Sequence, residues 1–173
     1  MDKQEYFLLI PAIIYGVAIV DLLKIFSHRK NYFEMVGWGV FYLMAIIILW
    51  MDLYHVLEVI SEHSLSFVLI IVQAILYARG AGLITPEEKD EDTEAYFMEV
   101  RKQFFFLMAA IVLVNLLIQV IVKDDQTPIW FRLGMFVLAL ILALWDNKKF
   151  RVTIMIMLLS FALLDLSLKG GVF

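Results

Sequence analysis

No cysteine occurs among the 173 residues. That one absence removes disulfides, thiol nucleophiles, thiolate zinc sites and Cys-ligated iron–sulfur clusters. Histidine is scarce, at 3, so a haem held by paired imidazoles has little to be built from. Basic charge is not in excess either. Lys+Arg is 14 against Asp+Glu 18, for a formal net charge of -4. Without a basic footprint there is no reason to expect a nucleic-acid partner. The chain has no G-x-S-x-G nucleophile elbow, and Gly80-Ala81-Gly82 lacks the lysine and the strand context of a phosphate loop. Arginines at every third position, as in a voltage sensor, are also missing. These absences weigh against an enzyme and leave no cofactor to expect.

Apolar sequence fills the space. Hydrophobic residues make up 63% and charged residues 18%, with a mean hydropathy of +0.87. A soluble domain is only about half apolar. The fold class expected is therefore all-α: a polytopic integral membrane protein, a single transmembrane domain with the lipid bilayer as its first partner. A hydrocarbon core of about 30 Å needs about 20 mostly apolar residues per helix. Six stretches qualify, at about 6–26, 35–59, 65–80, 104–122, 129–145 and 152–168, the third being short. The first follows the acidic start MDKQE and reads as a span, not a cleavable signal.

Caps support this division. Thr85-Pro86 and Thr127-Pro128 each place a cap residue before proline, and Thr85 with Glu88 and Asn31 with Glu34 read as capping boxes. Residues 81–103 are then expected to hold an acidic linker helix, lying at the interface or extending the fourth span out of the membrane, with Glu87, Glu88, Asp90, Glu91 and Asp92 near its start. Its stretch 86–102 is a candidate docking surface for a cytoplasmic partner, dispensable to the bundle. Loop charge gives orientation. One side carries Lys24, Arg29, Lys30, Arg79, Lys89, Arg101, Lys102, Lys148, Lys149 and Arg151; the other carries Lys3, Lys123, Arg132 and Lys169. The richer side should be cytoplasmic, so both termini should face outward from an inner (plasma) membrane.

An offset of 94 positions aligns Asp21 with Asn115, Asp52 with Asp146 and Ser66 with Ser160. Three spans per half would make an inverted 3+3 repeat, an architecture common among transporters. Ala12 with Gly16 is the best small-residue seat for a close helix contact.

Ionisable residues in hydrocarbon cost about 2.5–3.5 kcal/mol, so each is a functional candidate. Asp21 and Asp165 lie deepest, with Lys24 three residues on and Lys169 four residues on as local partners. Gln73 and Asn115 could complete a polar path or simply bond helices together. Asp52 and Asp146 fall near opposite mouths, where carboxylates draw in cations. The densest cluster is Asp52, His55, Glu58, Glu62 and His63. Asp52, His55, Glu62 and His63 share one helical stripe and are candidate metal ligands, but the stripe runs about 16 Å and one helix cannot close it.

The leading expectation is a small transporter or channel that passes an ion or small solute by way of Asp21, Asp165, Asn115, Gln73, Asp52 and Asp146. Six short helices leave little room for a private pathway, so a homo-oligomer or membrane complex is expected. A non-catalytic membrane subunit docking its partner at 81–102 is the alternative, and an outer-face metal-dependent enzyme the third. Topology can be checked directly in this cysteine-free chain. Lys3→Cys and Lys169→Cys should react with an impermeant thiol reagent on intact cells, and Asp90→Cys should not. Labelling at position 90 would reverse the orientation.

Overall fold

The computed structural model describes residues 3–27, 32–55, 64–87, 92–122 and 128–170, with side chains described for 8–27, 32–52, 65–87, 92–121 and 128–167. Among them the chain forms six α-helices: α1 (Lys3–Lys24), α2 (Phe33–His55), α3 (Ser64–Ile84), α4 (Thr93–Val122), α5 (Ile129–Leu144) and α6 (Lys148–Gly170). A single 3-10 turn, Ile25–Ser27, follows α1. Five of the six helices are long and apolar enough to cross a membrane. The exception is α5, whose 16 residues reach about 24 Å.

Apolar side chains point outward as well as inward. On α1, Leu9, Ile13, Val17, Val20 and Leu23 form an exposed stripe. On α6, Ile156, Met157, Phe161, Leu163 and Leu164 do the same. A soluble bundle would carry polar residues there. An apolar surface of this extent is compatible with a multi-pass membrane protein.

Two boundaries differ from the sequence expectation. α4 does not start near residue 104 but runs unbroken from Thr93. Among the described residues of 81–103, 81–84 end α3 and 93–103 belong to α4, so that part extends the fourth helix; 88–91 lie outside the described residues. Thr85 explains the first part. Its hydroxyl lies 2.8 Å from the Ala81 carbonyl and 3.1 Å from that of Asp21. It closes α3 onto α1; Glu88, its expected capping-box partner, lies outside the described residues. Asp92 takes the capping role, its Oδ1 accepting from the backbone N–H of Glu94 (3.1 Å) and Ala95 (3.3 Å). Residues 93–102 are also part of the bundle, since Thr93, Phe97 and Arg101 are buried. The Tyr96 hydroxyl sits 2.9 Å from the Leu83 carbonyl and holds α4 to the end of α3.

Helix pairing divides the bundle in two. α1 packs on α3, α3 on α4 and α4 on α5, making a row of four; α6 packs on α2. The helices of the row carry several buried alanines: Ala18 on α1, Ala74 and Ala81 on α3, Ala109 on α4, Ala139 and Ala143 on α5. Small side chains let helix backbones approach closely. Gly16 is not among these seats, because it is exposed and has open space beside it. The pair α2–α6 meets the row largely through long side chains. Trp38 packs edge-on against Phe105 at 4.9 Å, and Tyr42 lies 4.9 Å from Tyr77 and 5.5 Å from Phe104. The pairing of the first half is not reproduced in the second, since α1 packs on α3 while α6 packs chiefly on α2 and meets α4 only near their starts. Ser66 is buried and Ser160 is exposed, so these aligned serines differ in environment as well.

Two glycines mark close approaches between α2 and its neighbours. At Gly80 on α3, an added methyl would meet the Tyr42 hydroxyl and ring. At Gly37 on α2, it would meet the thioether of Met155 on α6. A tyrosine ring is rigid, and methionine bends easily. Gly80→Ala should therefore destabilise by about 1–3 kcal/mol, and Gly37→Ala by less. Melting of the purified protein in detergent checks the ranking, and equal losses would show that α2 moves as easily from α3 as from α6.

Candidate functional site

Arg151 stands in the first turn of α6, and none of its side chain is exposed. Asn147 caps that helix, its Oδ1 accepting from the Phe150 N–H at 3.1 Å. A helix N-terminus carries partial positive charge, so a buried guanidinium there opposes the dipole and loses its hydration. Carboxylates answer both penalties. Nε of Arg151 donates to Glu34 Oε1 at 2.6 Å, and Nη2 to Glu34 Oε2 at 3.3 Å. Nη1 donates to Asp146 Oδ1 at 2.8 Å. Glu34 is itself 1% exposed and accepts a further bond from the Tyr32 hydroxyl at 2.9 Å.

Asp146 extends the network to α4. Its Oδ2 lies 2.9 Å from Nη2 of Arg101, a side chain that is 5% exposed. Lys148 pairs with Glu94 at 3.0 Å near the same end, and the Tyr32 N–H donates to Thr93 Oγ1 at 3.0 Å. The starts of α2, α4 and α6 are thereby fastened together at what we call the Arg151 end. The hydrogen bond from Arg151, with the charges of Arg101, Arg151 and Lys102, holds the Asp146 carboxyl below the usual carboxylate range against the opposing effect of desolvation.

The opposite half of the bundle holds mostly neutral polar groups. Gln73 Nε2 on α3 donates to Asn115 Oδ1 on α4 at 2.6 Å. Arg132 Nη1 on α5 donates to the backbone carbonyl of Asn115 at 3.1 Å. Asp52 on α2 is exposed and acts electrostatically on Arg132. Four helices thus share one polar chain. It runs from Gln73 and Asn115, partly or wholly buried, to Arg132 and the exposed Asp52.

These contacts place the six residues proposed for a pathway. Gln73 and Asn115 are bonded to each other. Asp52 and Asp146 sit at opposite ends, because α2 runs about 27 Å from Glu34, beside Asp146, to Asp52. Asp21 forms a local ion pair with Lys24 at 2.6 Å. Asp165 is partly buried on α6; the side chain of Lys169 is outside the described residues. His28, Glu58, Glu62, His63 and the side chain of His55 also lie outside them. Among the described residues, no three His, Cys, Asp or Glu could hold one metal ion.

Sequence reading counted Arg101 and Arg151 as loop charges and Glu34 as a helix cap. A usable signal was present. Each heads an apolar helical stripe: Glu34 before Trp38, Arg101 between Phe97 and Phe105, Arg151 before Met155. A charge one turn from a buried large side chain on the same face is placed to be buried itself.

Compared with known protein families, curated proteins and solved structures, the chain matches none. The functional argument therefore rests on the geometry.

Two outcomes follow for the network. Arg151→Met leaves Glu34 buried and unpaired, and should cost about 3–5 kcal/mol. Adding Glu34→Leu should recover most of that loss, because a buried pair contributes little against apolar replacements. Melting of both variants decides it, and an equal loss in the double variant would show that the pair is itself a net stabiliser. Asp146 gives a pH dependence. Its folded carboxyl titrates below the unfolded value of 3.8, so its contribution is complete above about pH 4 and is lost as pH falls further. Asp146→Asn should flatten the melting temperature in that acid range; an unchanged slope would detach Asp146 from stability.

Proposed function

We propose that this chain is a small multi-pass membrane carrier or channel for an ion or small polar solute, in which the α2–α6 pair moves against the α1–α3–α4–α5 row. The observation that carries this reading is the manner of attachment. The helices of the row share long contacts and carry buried alanines, with the Tyr15–Tyr77 ring pair between α1 and α3, whereas the pair is held to it by large rings and, at one end, by ion pairs. Interfaces of that kind have discrete alternative packings, as rocking between repeats or bundles requires. The Arg151 network is then the closed gate. The chain Gln73–Asn115–Arg132–Asp52 lines the half that faces the other way, and Asp21, Asp165 and Asp146 are the remaining carboxylates of the path. All six helices cross an inner membrane with both termini outside, and more than one copy assembles.

A second reading has an observation of its own. Asp21 with Lys24 and Gln73 with Asn115 satisfy one another, as packing groups of a non-catalytic subunit would. Such a subunit would dock a cytoplasmic partner at the acidic 81–102 region. The third expectation, a metal-dependent enzyme, has no support among the described residues.

The absence of cysteine makes the test direct. Glu94 on α4 and Lys148 on α6 face each other across the boundary of the two bodies. Glu94→Cys with Lys148→Cys, bridged by a short reducible cross-linker, should stop ion or solute flux in proteoliposomes, and reduction should restore it. Each single variant should pass the solute with or without the reagent. Full flux in the bridged protein would refute the moving pair. No flux from the wild type under any imposed Na+, K+ or proton gradient, with Asp21→Asn or Gln73→Leu breaking up the assembly, would establish the subunit reading.

A further inference from the structure

Arg101 carries buried donors that nothing among the described residues meets. Nη2 is paired with Asp146, but among the described residues no acceptor reaches Nε or Nη1. Arg151 is the contrast, since Nε, Nη1 and Nη2 all have carboxylate partners. A buried donor left unmet loses its hydration for no return, and more so on a charged group. Native structures meet such donors with water or a ligand.

The Trp38 indole N–H is a second case. Trp38 is fully buried, and its Nε1 has no acceptor. The two residues lie on facing stripes. Phe105 follows Arg101 by one turn of α4, and its ring is 4.9 Å from Trp38 on α2. Unmet donors on two helices therefore lie about one helical turn apart beside the Arg151 network. All of them are N–H groups, so the missing group must be an acceptor, which rules out a metal cation.

Local charge points to an anion. Among the described residues of this network, Arg101, Lys102 and Arg151 contribute three cations against the carboxylates of Glu34 and Asp146, and Glu94 is taken by Lys148. Within that described set one positive charge is left over. The region also has a way out, because the Asp146 side chain is 61% exposed and Lys102 is exposed. A guanidinium fork suits oxyanions, and donors arriving from two directions suit a tetrahedral one better than a planar carboxylate.

We propose that this region binds a phosphate group, with Arg101 Nε and Nη1 and Trp38 Nε1 donating to its oxygens and Lys102 adding charge at the opening. Two sources share that chemistry: the headgroup of an anionic phospholipid, which basic pockets at membrane faces bind, and free phosphate. The lipid source rests on the membrane placement proposed above; the site itself does not.

The experiment uses the full chain in detergent and reads thermal unfolding. Phosphatidylglycerol, diacylglycerol, and sodium phosphate against sodium chloride at equal ionic strength are each titrated in. A melting rise with phosphatidylglycerol and none with diacylglycerol or sodium phosphate assigns the site to a lipid headgroup. A rise with sodium phosphate assigns it to free phosphate. Arg101→Gln should abolish the rise. Trp38→Phe keeps an aromatic side chain but removes the N–H together with the five-membered ring of the indole, so its melting is first measured without phosphate; its rise on titration should need about tenfold more of the phosphate compound, and it carries the test if Arg101→Gln does not fold. No rise with either phosphate compound, or a rise undiminished in either variant, overturns the proposal. Flux is not read, so this outcome is independent of whether the chain is a carrier.

Discussion

A guanidinium with no exposure to solvent, set in the first turn of a helix, is the constraint that organises this bundle. Arg151 loses hydration and faces the positive end of the α6 dipole, and neither penalty can be met from within α6. Its carboxylates come from α2 and from the connection after α5. Glu34 brings the start of α2 beside the start of α6. Asp146 serves two arginines at once and draws α4 to the same end. Three helix starts are thereby fixed together by charge before apolar packing settles the rest of their length.

Side-chain size governs that remaining length. Buried alanines gather on the row of α1, α3, α4 and α5. Trp38 and Tyr42 meet Phe104, Phe105 and Tyr77 ring against ring, with Tyr42 seated directly against Gly80 of α3. The proposed motion would need these rings to repack once the ion pairs at the end release. The difference between row and pair underlies the proposal of a moving pair, in which the charged groups gather at one end while the other half relies on Gln73, Asn115 and Arg132.

The polar residues inside the helices illustrate the limit of a residue-by-residue reading. Asp21 was conspicuous in an apolar run, yet its partner Lys24 lies one turn away, a pairing visible in the sequence. Gln73 and Asn115 stood out only as separate neutral residues, and their bond joins two helices. Arg101 was counted among the loop charges. Its place inside the bundle depends on α4 starting at Thr93, which in turn depends on Thr85 closing α3 and Asp92 capping α4.

The sequence by itself determined the class. Apolar runs of membrane-spanning length specify helices whatever their neighbours, because each backbone hydrogen bond is made within the segment. That is why α1, α2, α5 and the core of α6 are readable from hydropathy to within a few residues. It also determined the outward stripes, since nothing polar is available to cover them. Only the tertiary structure decided which helices pair, and which charges are buried. The reason is separation along the chain. Glu34 and Arg151 stand 117 residues apart, and no local pattern records that two groups so distant will replace each other's water.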